Sequence, residues 1–171
     1  MSKLYMMMGA PGSGKSTWCK ANLPKDAVYI SRDEIRFAML KNNEDYFSKE
    51  NQVYAEFVKQ INEALKQEKD VYADQTSLNR GARAKLINAL DIRPDEVNVI
   101  YIKRPLEQIL EFNAKRTGRA LVPEKAVINM YNSIQLPTWH ERIKFLITIE
   151  NGKTIIKDLE KEDRWLYEAS L

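Results

Sequence analysis

The strongest chemical signal in the sequence is a glycine-rich stretch near its start, which reads Gly9, Ala10, Pro11, Gly12, Ser13, Gly14, Lys15 and Ser16. This spacing is typical of a phosphate-binding loop, because glycines let the backbone curl until successive amide groups converge on a phosphate. In such a loop Lys15 bridges the β- and γ-phosphates of a nucleotide, and the Ser16 hydroxyl binds Mg²⁺. Thr17 is the expected contact to the α-phosphate. We refer to residues 9–16 as the phosphate loop.

A carboxylate that could act as a general base follows the second apolar run of the chain. The stretch is Arg32-Asp33-Glu34-Ile35-Arg36, and it places Asp33 at the predicted carboxyl edge of a sheet, where α/β folds bind their ligands. Phosphate transfer to a hydroxyl needs a group that accepts the proton, and Asp33 could do this while Arg36 binds an anionic part of the acceptor. The alternative is an acidic residue in the first turn of a helix, with Arg36 paired to Glu34 or solvent.

A second acidic residue, Asp74, ends the short apolar run 71–73. An aspartate at the tip of a strand beside a phosphate loop commonly holds the metal through water molecules, so we expect Asp74 and Ser16 to form the metal site. A turn-forming aspartate is the alternative. Arg83 lies nine residues further on and either binds a substrate phosphate or lies on the surface of a helix.

Residues 115–123 have the composition of a mobile lid. Arg116 and Arg119 flank Gly118 between two predicted helices, and a guanidinium group can neutralise the charge on a phosphate during transfer. The lid interpretation predicts that both arginines contact ATP and that Arg116 takes part in catalysis. A solvated, charged loop is the alternative.

Strand-like runs alternate with helix-like runs along the chain, which favours an α/β fold with a mainly parallel sheet flanked by helices. Predicted strands are 4–8, 27–30, 71–74 and 97–102, and predicted helices are 15–22, one capped by Ser31, 49–68, 81–90, 105–115 and 123–134. The pair Asn151-Gly152 predicts a hairpin over about 143–157, because both residues tolerate positive φ.

Composition is that of a globular chain, with 171 residues, 44% hydrophobic and 30% charged. We expect one domain over residues 1–171, a cytoplasmic location and no membrane partner, since no apolar run reaches the ~18 residues of a membrane span. Cys19 is the only cysteine and is expected to be a small buried residue. Between residues 79 and 119 nine basic and five acidic residues give an excess of four positive charges, against a net charge of +3 for the chain.

Four motifs together resemble the kinase domain of the bacteriophage 5′-polynucleotide kinases. More loosely, the chain is similar to the kinase half of eukaryotic polynucleotide kinase-phosphatases and to zeta-toxin-like kinases. The motifs are GAPGSGKSTW, ISRDEIR, YADQTSLNRGAR and NAKRTGRALVPEKAVINMY, within residues 3 to about 137. The resemblance implies a P-loop NTPase fold with an arginine-bearing lid.

The resemblance also assigns roles. Asp33 would be the general base for a 5′-hydroxyl, Arg36 would contact the phosphate on the 3′ side of the acceptor nucleotide, and Arg116 would lie at the donor phosphates. Thr76 and Arg83 would belong to the substrate site, although Gln75 intervenes where the family often has threonine or serine directly after the aspartate.

The sequence thus predicts an ATP- and Mg²⁺-dependent kinase that acts on the 5′-hydroxyl end of DNA or RNA, a nucleic acid end-repair activity. Two alternatives remain at this point. One is a kinase for a small hydroxyl acceptor such as a nucleoside, a nucleotide sugar or an antibiotic, and the other is a non-catalytic nucleotide-dependent switch. Residues 138–171 have no assigned counterpart and are interpreted as capping structure or as a homo-oligomer contact.

Overall fold

A six-stranded sheet forms the centre of the computed structural model, which describes residues 1–162 and, within them, all side chains except that of Arg119. The sheet order is β2-β3-β1-β4-β5-β6. The strands are β1 (Lys3–Met8), β2 (Val28–Ser31), β3 (Val71–Asp74), β4 (Glu96–Ile102), β5 (Phe145–Glu150) and β6 (Lys153–Asp158). Strands β1 to β5 pair in parallel and β6 is antiparallel to β5. The predicted α/β fold with a mainly parallel sheet is confirmed.

The central strand β1 is apolar on both faces, as a parallel strand covered on both sides must be. Leu4, Met6, Met7 and Met8 are entirely buried. Their side chains alternate between the two halves of the core, because successive residues of a strand point to opposite faces. The strand therefore holds the residues that follow it, the phosphate loop, in a fixed position.

Six helices connect the strands, and their bounds lie within about two residues of those predicted. They are α1 (Lys15–Asn22), α2 (Arg32–Met39), α3 (Glu50–Lys66), α4 (Arg80–Ala89), α5 (Leu106–Ala114) and α6 (Glu124–Asn132). Local signals explain the starts: the Ser31 side chain accepts a hydrogen bond from the Glu34 amide, and Pro105 and Pro123 precede α5 and α6. The long helix α3 buries Val53, Phe57, Ile61 and Leu65 against the sheet.

The predicted hairpin is present as β5 and β6. Asn151 and Gly152 have φ values of 50° and 74°, the left-handed conformation that a two-residue hairpin turn requires at both positions. Residues 163–171, the end of the predicted domain and of the unassigned tail, lie outside the described residues.

The sequence also predicts a buried cysteine and no membrane-spanning segment. Cys19 is fully buried, and burial raises the pKa of its thiol to about 12. Among residues 1–162, none of the helices combines the length and the apolar character that crossing a bilayer requires.

Candidate active site

The candidate site lies at the carboxyl edge of three neighbouring strands. The phosphate loop follows β1, Asp74 is the last residue of β3, and Ser31 is the last residue of β2. Ser31 and Asp74 are register partners, so Asp33, the second residue of α2, lies two positions after the residue opposite Asp74. The fold thereby brings together residues that are separated by up to 65 positions in the sequence.

Two glycines give the phosphate loop its curvature. Gly12 and Gly14 have φ values of 90° and 86°, which only glycine adopts without strain. A Cβ atom at Gly12 would lie 2.6 Å from the carbonyl oxygen of Ile109, so this residue also has no room for a side chain. The loop amides are therefore free to curl towards a phosphate at the start of α1.

Lys15, Ser16 and Asp74 lie in direct contact. The Ser16 hydroxyl donates to Asp74 Oδ2 at 2.6 Å, and Lys15 Nζ lies 3.5 Å from Asp74 Oδ1. The Tyr29 hydroxyl also donates to Asp74 Oδ2, and burial together with the charge of Asp74 raises the pKa of Tyr29. The buried Asp74 carboxylate is thus held by three side chains from β2, α1 and the phosphate loop.

A hydroxyl and a carboxylate at this distance suit Mg²⁺, which prefers oxygen ligands. Within residues 1–162, no group of three His, Cys, Asp or Glu side chains could hold a metal ion. Ser16 and Asp74 are the residues that could hold Mg²⁺ together with phosphate oxygens and water, the usual arrangement for this ion at nucleotides.

The Asp33 carboxylate is accessible and firmly held. Its side chain is 55% exposed, yet Oδ1 accepts hydrogen bonds from the Arg36 guanidinium and, at 2.9 Å, from the Tyr46 hydroxyl. Burial and the charge of Asp33 raise the pKa of Tyr46 to about 12, so this hydroxyl keeps its proton at neutral pH. The Asp33 side chain is thus exposed, while one of its carboxylate oxygens is fixed by two hydrogen bonds.

Arg36 is buried, with a side chain only 6% exposed, and its donors are engaged by the protein. Nε and Nη2 donate to Glu50 at 2.8–3.1 Å, while Nη1 donates to Asp33 and Tyr46. Burial opposes ionisation of Glu50, but hydrogen bonds from Arg36 and the charge of Arg32 lower its pKa on balance. In this arrangement each guanidinium nitrogen of Arg36 already donates to a protein group, and Arg36 orients Asp33.

Sequence reasoning missed Glu50 and assigned no role to Tyr46 at Asp33. Glu50 is the first residue of α3 and also accepts from Arg32, whose Nη1 donates to Gln75 at 3.0 Å. These contacts span 18 to 43 positions, so no local spacing rule signals them. The network joins the ends of β2 and β3 to the start of α3.

Arg104 is a further residue that the sequence analysis left without a role. It follows β4, and its Nε donates to the carbonyl oxygen of Ser13 at 2.7 Å. The guanidinium lies 5.1 Å from the centre of the Phe112 ring. Arg104 therefore supports the phosphate loop from the neighbouring strand. In the sequence, its position just after a predicted strand, at the carboxyl edge of the sheet, could have indicated this role.

The lid residues lie between α5 and α6, where Gly118–Ala120 form one turn of 3-10 helix. Arg116 donates to the carbonyl oxygen of Ala120 at 3.4 Å, a contact within the lid itself. The prediction for the Arg119 side chain falls on atoms outside the described structure. Thr17, predicted at the α-phosphate, is exposed in the first turn of α1.

A buried asparagine closes the base of the lid. Asn113 Nδ2 donates to the carbonyl oxygen of Val122 at 2.6 Å, and Oδ1 accepts from the Val122 amide at 3.1 Å. The Cβ of Asn113 also lies 3.2 Å from the position that a Cβ on Gly12 would occupy. One side chain thus connects the lid to the phosphate loop.

We expect Asn113→Ala to loosen the lid, because it leaves the amide and carbonyl of Val122 without partners, at a cost of about 1–3 kcal/mol of local stability. Amide hydrogen exchange over residues 114–122 should become roughly tenfold faster or more. Asn132→Ala, at an exposed position at the end of α6, is the matched control and should leave this exchange unchanged. Equal exchange rates in the two variants would contradict this role of Asn113.

Arg83 requires a correction. Its side chain is fully buried, donates to both carboxylate oxygens of Glu141 at 2.8 and 3.3 Å, and donates to the carbonyl oxygen of Ser77 at 3.0 Å. A fully buried guanidinium cannot contact an acceptor, so the expected substrate contact is wrong for this arrangement. Arg83 instead supports the loop after β3, where the Thr76 carbonyl accepts from the Gly9 amide at 3.3 Å.

A family model described as "AAA domain" matches residues 4–137, which is more than three quarters of the chain and includes the phosphate loop, Asp33, Asp74 and the lid. The chain belongs to the AAA domain family. Lys15, Ser16, Asp33 and Asp74 of this AAA domain all lie within the matched residues.

One curated relative is the L-seryl-tRNA(Sec) kinase of Methanococcus maripaludis, which is 29% identical over 142 residues. The match covers 78% of this chain and 53% of the relative, so the chain spans about half the length of that protein. Among solved structures, the AAA domain is similar to a chain of the Pnkp1/Rnl/Hen1 RNA repair complex, with a TM-score of 0.65 and 20% identity over 92% of this chain and 49% of the other.

A gluconokinase from Sinorhizobium meliloti also matches, with a TM-score of 0.54 and 17% identity over 99% of this chain and 98% of the other. At such identities these structures show the shared fold. Together with the family match, they show that the chain has a P-loop fold.

Proposed function

We propose that this AAA domain transfers the γ-phosphate of ATP to the 5′-hydroxyl of a polynucleotide, with Mg²⁺ as cofactor. One observation carries the proposal: an exposed carboxylate, Asp33, is held in one orientation at the same sheet edge as Lys15, Ser16 and Asp74. A donor site and a fixed base side by side are what phosphate transfer to a hydroxyl requires.

On the donor side, the phosphate loop amides and Lys15 would bind the nucleotide phosphates. Ser16 and Asp74 would hold Mg²⁺, which neutralises charge on the phosphate oxygens when bound. Arg116 would turn from its contact with Ala120 towards the transferring phosphate as the lid closes over the nucleotide.

On the acceptor side, Asp33 would accept the proton of the attacking hydroxyl through Oδ2, the carboxylate oxygen that Arg36 and Tyr46 do not contact. Arg36 would act through Asp33, which it orients together with Tyr46. A direct contact from Arg36 to an acceptor phosphate would require it to release Glu50 or Asp33. Orienting Asp33 keeps both of these contacts and so costs less free energy.

Three features support a nucleic acid acceptor. One relative carries the name of a kinase for a seryl-tRNA, and one structural neighbour comes from an RNA repair complex. The motifs resemble those of bacteriophage 5′-polynucleotide kinases. Finally, residues 79–119 carry an excess of positive charge. Apart from the buried Arg83, the basic side chains that the structure describes in this segment are exposed or half-buried.

A small hydroxyl acceptor is the second candidate, and two observations favour it. The gluconokinase matches over nearly its whole length, and each guanidinium nitrogen of Arg36 already donates to a protein group. The same Asp33 chemistry would serve both acceptors, so only an experiment with both classes separates them.

The test supplies γ-labelled ATP and Mg²⁺ together with one acceptor at a time: a 5′-hydroxyl oligonucleotide, the same oligonucleotide already 5′-phosphorylated, a seryl-tRNA, gluconate or a nucleoside. We expect label on the 5′-hydroxyl oligonucleotide and none on its 5′-phosphorylated control. Lys15→Ala should abolish the transfer. Label on the small acceptors alone would favour the second candidate, and ATP hydrolysis without any transfer would indicate a switch.

A further inference from the structure

Three aromatic side chains beside Asp33 lie outside the hydrophobic core. Phe37 on α2 is 40% exposed, and Phe47 in the loop before α3 is 68% exposed. Tyr46 lies between them, and none of the three belongs to the clusters of packed apolar residues in the described chain. We call these three residues the aromatic platform.

The rings of the platform hold one another in place. The centres of Phe37 and Tyr46 are 6.1 Å apart at 69°, and those of Tyr46 and Phe47 are 4.6 Å apart at 83°. The Arg36 guanidinium lies 4.4 Å from the centre of the Tyr46 ring. Edge-to-face contacts of this kind are favourable, so the two exposed phenyl rings are presented in fixed orientations.

The platform is joined directly to the proposed base. The Tyr46 hydroxyl donates to Asp33 Oδ1 at 2.9 Å. Phe37 follows Asp33 by four positions on α2, a spacing that puts Cβ atoms about 5–6 Å apart on one helix face. A flat group one ring away from a hydroxyl bound at Asp33 would therefore reach these aromatic faces.

We propose that the aromatic platform binds the base of the acceptor nucleotide by stacking, and this inference rests on the proposed function. A 5′-hydroxyl is separated from its base by one ribose ring, and the platform adjoins Asp33 through the Tyr46 hydroxyl. Stacking on exposed aromatic rings tolerates any base, because every base has a π-face. A sugar acid such as gluconate has no planar ring and gains nothing from such a surface.

The test compares two 5′-hydroxyl oligonucleotides that differ only at the terminal nucleotide, one with its base and one abasic. The wild type should use the complete acceptor with roughly ten- to a hundredfold higher kcat/KM, the range expected for stacking of one base. The double variant Phe37→Ala/Phe47→Ala should reduce that ratio to within about threefold, with the loss expressed in KM. Ile155→Ala, which truncates an exposed apolar side chain on β6 far from the site, should keep the wild-type ratio.

Equilibrium binding of the same two oligonucleotides, followed by fluorescence anisotropy, separates this inference from the proposed function. If the wild type phosphorylates both acceptors equally well, the platform is not a base site although the kinase assignment stands. If neither acceptor is phosphorylated, the proposed function fails, and the platform then stands only if the complete oligonucleotide binds at least about tenfold more tightly than the abasic one. A preference that survives in the double variant would also overturn the inference.

Discussion

Replacing Asp33 by asparagine is expected to lower kcat for hydroxyl phosphorylation about a hundred- to ten-thousandfold, the usual contribution of a general base. The amide keeps the size of the side chain and can still accept from Arg36 and Tyr46, but it cannot take up a proton from the acceptor. Since Asp33 lies on α2 and the phosphate loop follows β1, the affinity for ATP should be unchanged. The measurement is kcat at saturating ATP together with calorimetric titration of the nucleotide.

Asp26→Asn provides the matched control, because it makes the same chemical change at an exposed aspartate before β2. This variant should retain full activity. Tyr46→Phe is informative as well: it leaves the Asp33 carboxylate intact and removes one of its two hydrogen-bond donors, so it should lower kcat far less than Asp33→Asn. A variant Asp33→Asn with more than half of the wild-type kcat would rule out this residue as the base.

Replacing Glu141 by glutamine is expected to lower the free energy of unfolding by about 3–5 kcal/mol, because it leaves the buried Arg83 guanidinium without its counter-charge. Arg83 is fully buried, and its Nε lies 2.8 Å from Glu141 Oε1. The amide retains the shape of the carboxylate but has one acceptor oxygen in place of two, so the variant loses the charge and one hydrogen bond from Arg83. Urea unfolding of the variant and the wild type measures it.

Two comparisons make this prediction specific. The double variant Arg83→Met/Glu141→Gln removes the buried charge as well and should recover much of the lost stability. Glu111→Gln removes one partner of the exposed pair Glu111–Lys115 and should change stability by no more than about 0.5 kcal/mol. A decrease of less than about 1 kcal/mol in the free energy of unfolding of Glu141→Gln would show that the pair contributes little to the stability of the fold.

Much of the fold could be predicted because its signals are local. The glycine spacing at 9–14, the Ser31 cap and the Asn151-Gly152 turn each lie within a few residues of the structure they specify. The strands β1 and β4 are mostly apolar on both faces, which is typical of central strands in a parallel sheet.

The partners of the buried charges could not be predicted in the same way. Arg83 and Glu141 are 58 positions apart, and Arg36 and Glu50 belong to different helices. From the sequence alone, an arginine near a substrate site and an arginine that supports the fold look the same. Only the tertiary structure separates Arg83, which supports a loop, from Arg104, which braces the phosphate loop.

The two halves of the site differ in how the sheet supports them. The nucleotide half is attached to β1, which has a hydrogen-bonded neighbour on each side, whereas Asp33 follows β2, a four-residue strand at the rim that pairs with β3 alone. Substitutions around β2 and α2 therefore alter the acceptor half with little disturbance of the central strands. Substitutions at one edge strand of the sheet can thus change the preferred acceptor during evolution. The residues proposed to bind the nucleotide, which follow the central strand, can meanwhile stay the same.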